Sequence, residues 1–448
     1  MTNKTTTRKV PSGRLSRLAV LGGIASAVAG NMVKGAAKQI LTGQLPSLSQ
    51  NLLSTDNATS ITKRLARMRG AAMKLGQLLS MDAGALLPAE WESILSRLRE
   101  QADSMPKSQL LETLEMAWSE DWLSQFRYFS FEPIAAASIG QVHRAILKDG
   151  RELAIKIQYP GVRESIDSDI DNIASLINVS GLLPSHIDLK PMLEEAKIQL
   201  KNEADYLKEA EYLNRYRDNL ASDTDFIVPY VVDELSNQNV LVMEYIEGTP
   251  IVDVAMMGPD IVDLVCSKLM RLTYEELFNH RLMQSDPNFA NYLYQPDTQK
   301  IVLLDFGACR NIAQQTSEQY RAMANAMQNQ DVAAMKSTLY SLGLMQNNMS
   351  PTVIDIVLKT CLEASECLQP DDGYNLKREQ LIKKLQAISL PIVNDKSAVA
   401  SPDFDVSLVN RKITGMILLT NKLGATLDFK GALAPYLLQF QTVDIVSY

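Results

Sequence analysis

The feature that most constrains this chain is a change in hydrophobic period. From residue 57 to about 125, apolar side chains recur every three or four positions (Ile61, Leu65, Met68, Ala72, Leu75, Leu79), the pattern of helices with one apolar face. At Tyr128 the period drops to two. Residues 128–134, 141–147 and 151–158 read as strands, and Lys148-Asp149-Gly150 joins the last two as a hairpin. A helical stretch follows over 162–180. One long helix is then expected over 191–220, with Pro191 in its first turn and Asp188 upstream. Strands resume at 227–232 and 240–245. After Gly248 the chain is helical, except for short strands near 291–294 and 300–304. The fold class is therefore α+β: helices, a small antiparallel sheet with one long helix, then a helical body.

With 448 residues the chain can fill two or three cores, and 46% apolar with 21% charged residues excludes a disordered or fibrous protein. Four cysteines (Cys266, Cys309, Cys361, Cys367), with no CxxC pair, give neither a disulfide scaffold nor a zinc site and fit a reducing compartment. The net charge of −8 hides an asymmetry: residues 1–50 carry seven Lys/Arg and no Asp/Glu. A basic leader on an acidic body is suited to anionic membrane lipids rather than nucleic acid, since no aromatic base-stacking pattern accompanies it; the plainer reading is a solvated arm. Residues 18–33 are uncharged, but a run of sixteen falls short of the roughly 20 needed to span a bilayer. It also has no A-x-A-like cleavage site followed by a secreted-type, cysteine-rich body, so a signal peptide is a poor fit. The expectation is a helix that docks on the body or lies at a membrane surface, in a soluble or peripheral protein.

Three segments in fixed order carry the chemistry. Leu153-Ala154-Ile155-Lys156, on the third expected strand, fits the V-A-I-K pattern that sets an ammonium beside the α/β-phosphates of ATP. Asp286-Pro-Asn-Phe-Ala-Asn291 has the Asp-x4-Asn spacing of a kinase catalytic loop: the Asp can accept a proton and the Asn can ligate a metal. Asp305-Phe306-Gly307 follows an apolar strand, where its carboxylate can bridge Mg2+ to phosphates. Each segment alone is a weak signal; their order and context make the case. Residues 240–248 have a strand-then-linker form, with Met243 behind an adenine pocket and backbone groups from Glu244 to Ile246 at its edge. A helix glutamate must pair with Lys156. Ala196, Leu200, Glu203 and Leu207 share a stripe, so Glu203 is the first choice; Glu209, six positions on and rotated away along a continuous helix, is the substitute.

Two departures from ordinary protein kinases matter. Ala135-Ala136-Ala137-Ser138 stands where a glycine-rich turn would cover the phosphates, and methyl groups there restrict close backbone approach. After Asp305-Phe-Gly307 the sequence runs straight into a helix with no A-P-E, so the segment that docks a peptide substrate is missing; Gln284-Ser285 replaces His-Arg.

Lys74-Leu75-Gly76-Gln77, the alanine loop, Glu203-Ala204-Asp205, and residues 284–291 with Asp305-Phe-Gly307 resemble the UbiB (AarF-type) family of atypical kinases, in particular its coenzyme Q–biosynthesis branch. The resemblance implies a two-lobed kinase-like fold with an N-terminal helical K-x-G-Q extension and a mostly helical C-lobe. Expected bounds are 1–55 for the leader, 56–126 for the extension, 127–248 for the N-lobe and 249–448 for the C-lobe. It also implies ATP and Mg2+ as cofactors, ATPase activity, membrane association and a role in ubiquinone biosynthesis, with polyprenyl-quinone precursors and biosynthetic enzymes as partners. Lys74, Gly76, Gln77 and Asp205 would gate the site, with Lys74 meeting the E-x-D helix. No mitochondrial presequence is apparent, which points to a bacterial member, cytoplasmic and peripheral to the inner membrane. The rival expectations are a phosphotransferase acting on a small-molecule or lipid hydroxyl, and a nucleotide-binding scaffold.

Overall fold

A computed structural model describes residues 105–180, 190–392, 395, 397 and 402–437. The leader, the expected helices before residue 105, and with them Lys74, Gly76 and Gln77, lie outside the described residues. The described residues divide into two compact units, one holding those from 105 to 211 together with Tyr230–Tyr245, the other Tyr212–Pro229 together with those from 246 to 437.

In chain order the first stretch contains α1 (Lys107–Trp118), β1 (Phe126–Phe129), β2 (Ala135–Ala136), β3 (Gly140–Leu147), β4 (Glu152–Gln158), α2 (Val162–Ser180), α3 (Lys190–Glu203), α4 (Tyr206–Asn219), β5 (Phe226–Ile227) and β6 (Val240–Glu244). The sheet of the first unit runs β1-β3-β4-β6, all antiparallel, with β2 added on β3. The central β4 is buried along almost its whole length, whereas β3 alternates, as expected for a strand covered on one face. The β3–β4 turn places Gly150 at φ +97°, and Asp149 accepts a 3.0 Å hydrogen bond from the Arg151 amide, the turn chemistry its Asp-Gly pair dictates. Trp122 packs edge-on against Phe129 at 4.9 Å, and the Trp118 indole donates to the Leu235 carbonyl at 2.8 Å, which fixes α1 to the sheet.

The expected single helix over 191–220 is two helices, α3 and α4, broken at Ala204-Asp205. Asp205 starts the second: its carboxylate accepts from the Lys208 amide at 3.2 Å and its carbonyl from the Glu209 amide at 2.9 Å. The apolar period continues on both sides of the break, so periodicity alone does not reveal it.

The second unit continues with β7 (Thr249–Pro250), α5 (Pro259–Tyr274), β8 (Leu282–Gln284), β9 (Tyr292–Gln295), β10 (Lys300–Leu303), β11 (Cys309–Asn311), α6 (Gln314–Gln328), α7 (Val332–Ser341), α8 (Pro351–Ala364), β12 (Tyr374–Asn375), α9 (Leu381–Ser389), α10 (Phe404–Leu423), β13 (Thr426–Leu427) and α11 (Phe429–Leu437). A π-helical turn, Glu275–His280, extends α5. Its small sheets run β5-β10-β9-β7, β8-β11 and β12-β13. On α5 the buried Val262, Val265, Cys266, Leu269, Met270 and Thr273 recur at helical spacing, and the helix packs against α10 and α11. An apolar cavity of about 290 Å³, bordered by Met270, Phe278, Met323, Leu381 and Phe429 among others, remains in this unit's core.

The buried His143 on β3 has Nδ1 2.7 Å from the Ser130 carbonyl and Nε2 2.7 Å from the Gln141 side-chain amide, whose oxygen accepts from the Met105 amide at 2.8 Å. A carbonyl only accepts, so Nδ1 carries the proton and the ring is neutral. Burial holds its pKa below the ordinary histidine value despite the Ser130 bond. The unfolded chain therefore binds a proton below about pH 6.5 that the fold resists, so stability falls as pH drops through that value. Melting temperatures between pH 7.5 and 5.5 should decline in the wild type and decline less in His143→Gln; equal slopes would contradict this assignment.

Candidate active site

In the first unit, Lys156 extends from the buried β4 and its Nζ donates to both carboxylate oxygens of Glu209 on α4, at 2.7 and 2.9 Å. The two side chains are 7% and 0% exposed. The Tyr206 ring lies 5.2 Å from the same ammonium. The preference for Glu203 as this partner is overturned: Glu203 instead accepts a 2.5 Å hydrogen bond from Ser138 Oγ of the alanine loop. The break at Ala204-Asp205 is the cause. It resets the helix phase, so the separation of about 600° that six residues would make on a continuous helix no longer turns Glu209 away. Asp205, grouped with the gating residues at the sequence level, sits at that break as the cap of α4.

The alanine loop is a tight hairpin. Ala135 and Ala136 pair with Val142 and Gln141 of β3, and the Ala137 amide donates to the Gly140 carbonyl at 2.9 Å. Gly140 is required by crowding: a Cβ there would lie 2.3 Å from the Ile157 carbonyl oxygen and 2.9 Å from the Tyr206 hydroxyl. At the far edge of the sheet, Met243 is buried and paired with Ala154 across β4 and β6. The Glu244 amide donates to Tyr230 at 3.0 Å and the Tyr245 amide to Glu152 at 2.9 Å. Neither amide can serve a ligand edge without breaking a sheet bond. Ile246 belongs to the second unit.

In that second unit the segment from Asp286 to Asn291 is fastened at both ends to the segment from Leu304 to Cys309. The Leu304 amide donates to the Asn291 carbonyl at 3.0 Å; Ser285 Oγ donates to the Ala308 carbonyl at 2.7 Å; and Gln284 pairs with Cys309 across β8 and β11. Within the loop, Asp286 Oδ1 accepts from the Asn288 amide at 3.2 Å and Asn288 Oδ1 from the Ala290 amide at 3.1 Å. Asp305 Oδ1 accepts from the Gly307 amide at 2.9 Å. Phe306 is buried with its ring 5.0 Å from that of Tyr216 on α4. Asp286, Asn291 and Asp305 are thus brought to one place. Burial raises the Cys309 thiol well above its usual pKa, so this thiol next to the loop is no nucleophile.

Among the described residues no group of three His, Cys, Asp or Glu could hold a metal ion. The donors expected from the sequence, the Asn291 amide oxygen and the Asp305 carboxylate, are of the kind that suits Mg2+, which would take its remaining ligands from phosphates and water. The residues fit that cation and are too few to cage it unaided.

The model of the ABC1 atypical kinase-like domain matches residues 97–339. The chain belongs to this family. It is 34% identical over 434 residues to a Caenorhabditis elegans protein named "Atypical kinase coq-8, mitochondrial", covering 94% of this chain and 57% of the worm protein. It is likewise 34% identical over 419 residues to the Saccharomyces cerevisiae "Atypical kinase COQ8, mitochondrial", covering 93% of this chain and 83% of the yeast one. A Mycobacterium tuberculosis protein solved in complex with erythromycin matches with a TM-score of 0.59 at 26% identity, over 85% of this chain and 95% of that one. The α+β kinase-like fold and the atypical kinase family expected from the motifs are those found.

Sequence reasoning missed the Tyr206 ring beside Lys156, and Tyr216, Glu276 and Lys412, which lie beneath the loop. One signal was available. Val409, Lys412, Met416 and Leu419 are spaced three, four and three apart, so Lys412 falls on an apolar stripe. For the loop itself, Gly140→Ala should cost about 1–3 kcal/mol of stability through the collision with Ile157. Urea denaturation measures it; a variant as stable as the wild type would show that the hairpin yields.

Proposed function

We propose that this protein is a kinase-fold ATPase that binds Mg-ATP at an anionic membrane surface and supports ubiquinone (coenzyme Q) biosynthesis. The observation that carries the reading is the buried, doubly hydrogen-bonded Lys156–Glu209 pair. Burying two charges is costly and adds little to stability compared with apolar packing, so an ammonium fixed this way supports a phosphate-binding role. Lys156 grips the α/β-phosphates, and Glu209 holds it in place. Asn291 and Asp305 hold Mg2+, which supplies neutralisation of phosphate charge. Asp286 orients the attacking water and accepts its proton. Met243 backs the adenine and Ile246 borders it. Residues 135–138 lie over the phosphates, where the Ser138–Glu203 bond limits their movement. Lys74, Gly76 and Gln77 gate the site.

Among the described residues no helix is long and apolar enough to cross a membrane. The seven Lys/Arg of residues 1–50 are the proposed contact with anionic lipid, on the cytoplasmic face of a bacterial inner membrane. ATP turnover there serves enzymes acting on polyprenyl-quinone precursors, in keeping with the names of the COQ8 relatives. The rival reading, transfer to a compact lipid or small-molecule hydroxyl, draws on the same Asp286, Asn291 and Asp305.

Incubation with labelled ATP, Mg2+ and anionic liposomes carrying a polyprenyl phenol separates the outcomes. Free phosphate is expected. Label on the lipid would favour the transferase, and binding without product would favour a scaffold. Asp305→Asn should lose Mg2+-dependent nucleotide binding or turnover by a hundredfold or more at unchanged melting temperature, and undiminished activity would move the metal elsewhere.

A further inference from the structure

The Asp286–Asn291 segment lies along α10, a helix beyond the matched residues 97–339. Two residues of α10, Gly415 and Lys422, meet it, and a third, Lys412, meets the residue that follows it. Lys412 Nζ donates to the Tyr292 hydroxyl at 2.9 Å, immediately after Asn291. Gly415, one turn on, is so close to Pro287 that a Cβ would sit 2.1 Å from its ring. Lys422 places its ammonium 5.7 Å from the Phe289 ring centre. Lys412 is 1% exposed, and its Nζ is also 3.2 Å from Glu276 Oε2. Glu276 Oε1 accepts from the Tyr216 hydroxyl at 3.0 Å, and the Tyr216 ring packs on Phe306. A single buried ammonium therefore sits at the junction of two routes, one through Tyr292 to Asn291 and one through Glu276 and Tyr216 to Phe306, the neighbour of Asp305. Burial pulls this lysine toward its neutral form, but Glu276 and Tyr292 outweigh that and hold its pKa above the ordinary value.

We propose that α10 is the buttress of the Asp286–Asn291 loop and that Lys412 is its positioning residue, setting Asn291 and Asp305 for Mg2+ without touching cation or nucleotide. A protonated lysine suits the place geometrically, because the Glu276 carboxyl and the Tyr292 phenol oxygen both face Nζ, while burial pushes the pKa of that carboxyl up. Gly415 lacks a side chain so that Pro287 can seat against the helix. The inference rests on the functional reading above for the cation, but not for the buttress.

The test uses the full-length protein with Lys412→Met, the neutralised pair Lys412→Met/Glu276→Gln, and Gly415→Ala. Hydrogen exchange is followed in a peptide spanning 284–292, and Mg2+ is titrated against a fluorescent ATP analogue. In Lys412→Met and Gly415→Ala, exchange in 284–292 should quicken at least tenfold while 152–158 is unchanged. The Mg2+ midpoint should rise about tenfold, with Mg2+-free nucleotide affinity within twofold of wild type. If Lys412→Met alone fails to fold, the neutralised pair gives the same reading. Unaltered exchange in 284–292 in the folded variants overturns the buttress, and an unmoved Mg2+ midpoint reduces Lys412 to packing and overturns its positioning role. Should the wild type itself show no Mg2+-dependent nucleotide binding, the functional reading falls while the exchange result still decides the buttress.

Discussion

The Lys156–Glu209 pair is the interaction on which the first unit's local architecture depends. An ammonium on a buried inner strand of a sheet has little solvent to stabilise it, and one carboxylate with both oxygens engaged is the least expensive remedy the fold offers. That demand explains the local architecture around it. The helix must break at Ala204-Asp205 for Glu209 to face the strand, Asp205 must cap the new helix, and Gly140 must lack a side chain where Tyr206 and Ile157 crowd in. Glu203, released from the lysine, steadies the alanine loop through Ser138.

The second unit solves a different problem. Its loop of acid and amide residues has little regular structure of its own, and it is held in shape by neighbours. Short strands tie its ends to the Asp305 segment, and α10 lies along its length. The helix α4 contributes to both units, offering Glu209 to Lys156 in one and Tyr216 to Phe306 in the other. The helix along this loop lies well past the matched residues 97–339, since α10 begins at Phe404.

Much of this was legible in the chain. The switch from helical to alternating period located the sheet, the Asp-Gly turn fixed its central hairpin, and Lys156, Asp286, Asn291 and Asp305 stood out by type, order and context. The Glu203–Glu209 choice was not legible. Helical phase was carried across a break that a capping aspartate creates, and such a cap leaves no trace in the apolar pattern. The strand pair β8–β11 was missed because three residues are too few to display a period of two. Lys412 was visible as a charge on an apolar stripe, but its partners lie 120 and more positions away in sequence, and only the folded chain brings Tyr292 and Glu276 to it.

The most direct test of the central claim is a double-mutant cycle in urea denaturation on Lys156→Met with Glu209→Gln, run beside Lys156→Met with Glu203→Gln. The first pair should couple by about 1–3 kcal/mol, and the second should add to within about 0.5 kcal/mol. Coupling to Glu203 in place of Glu209 would contradict the account.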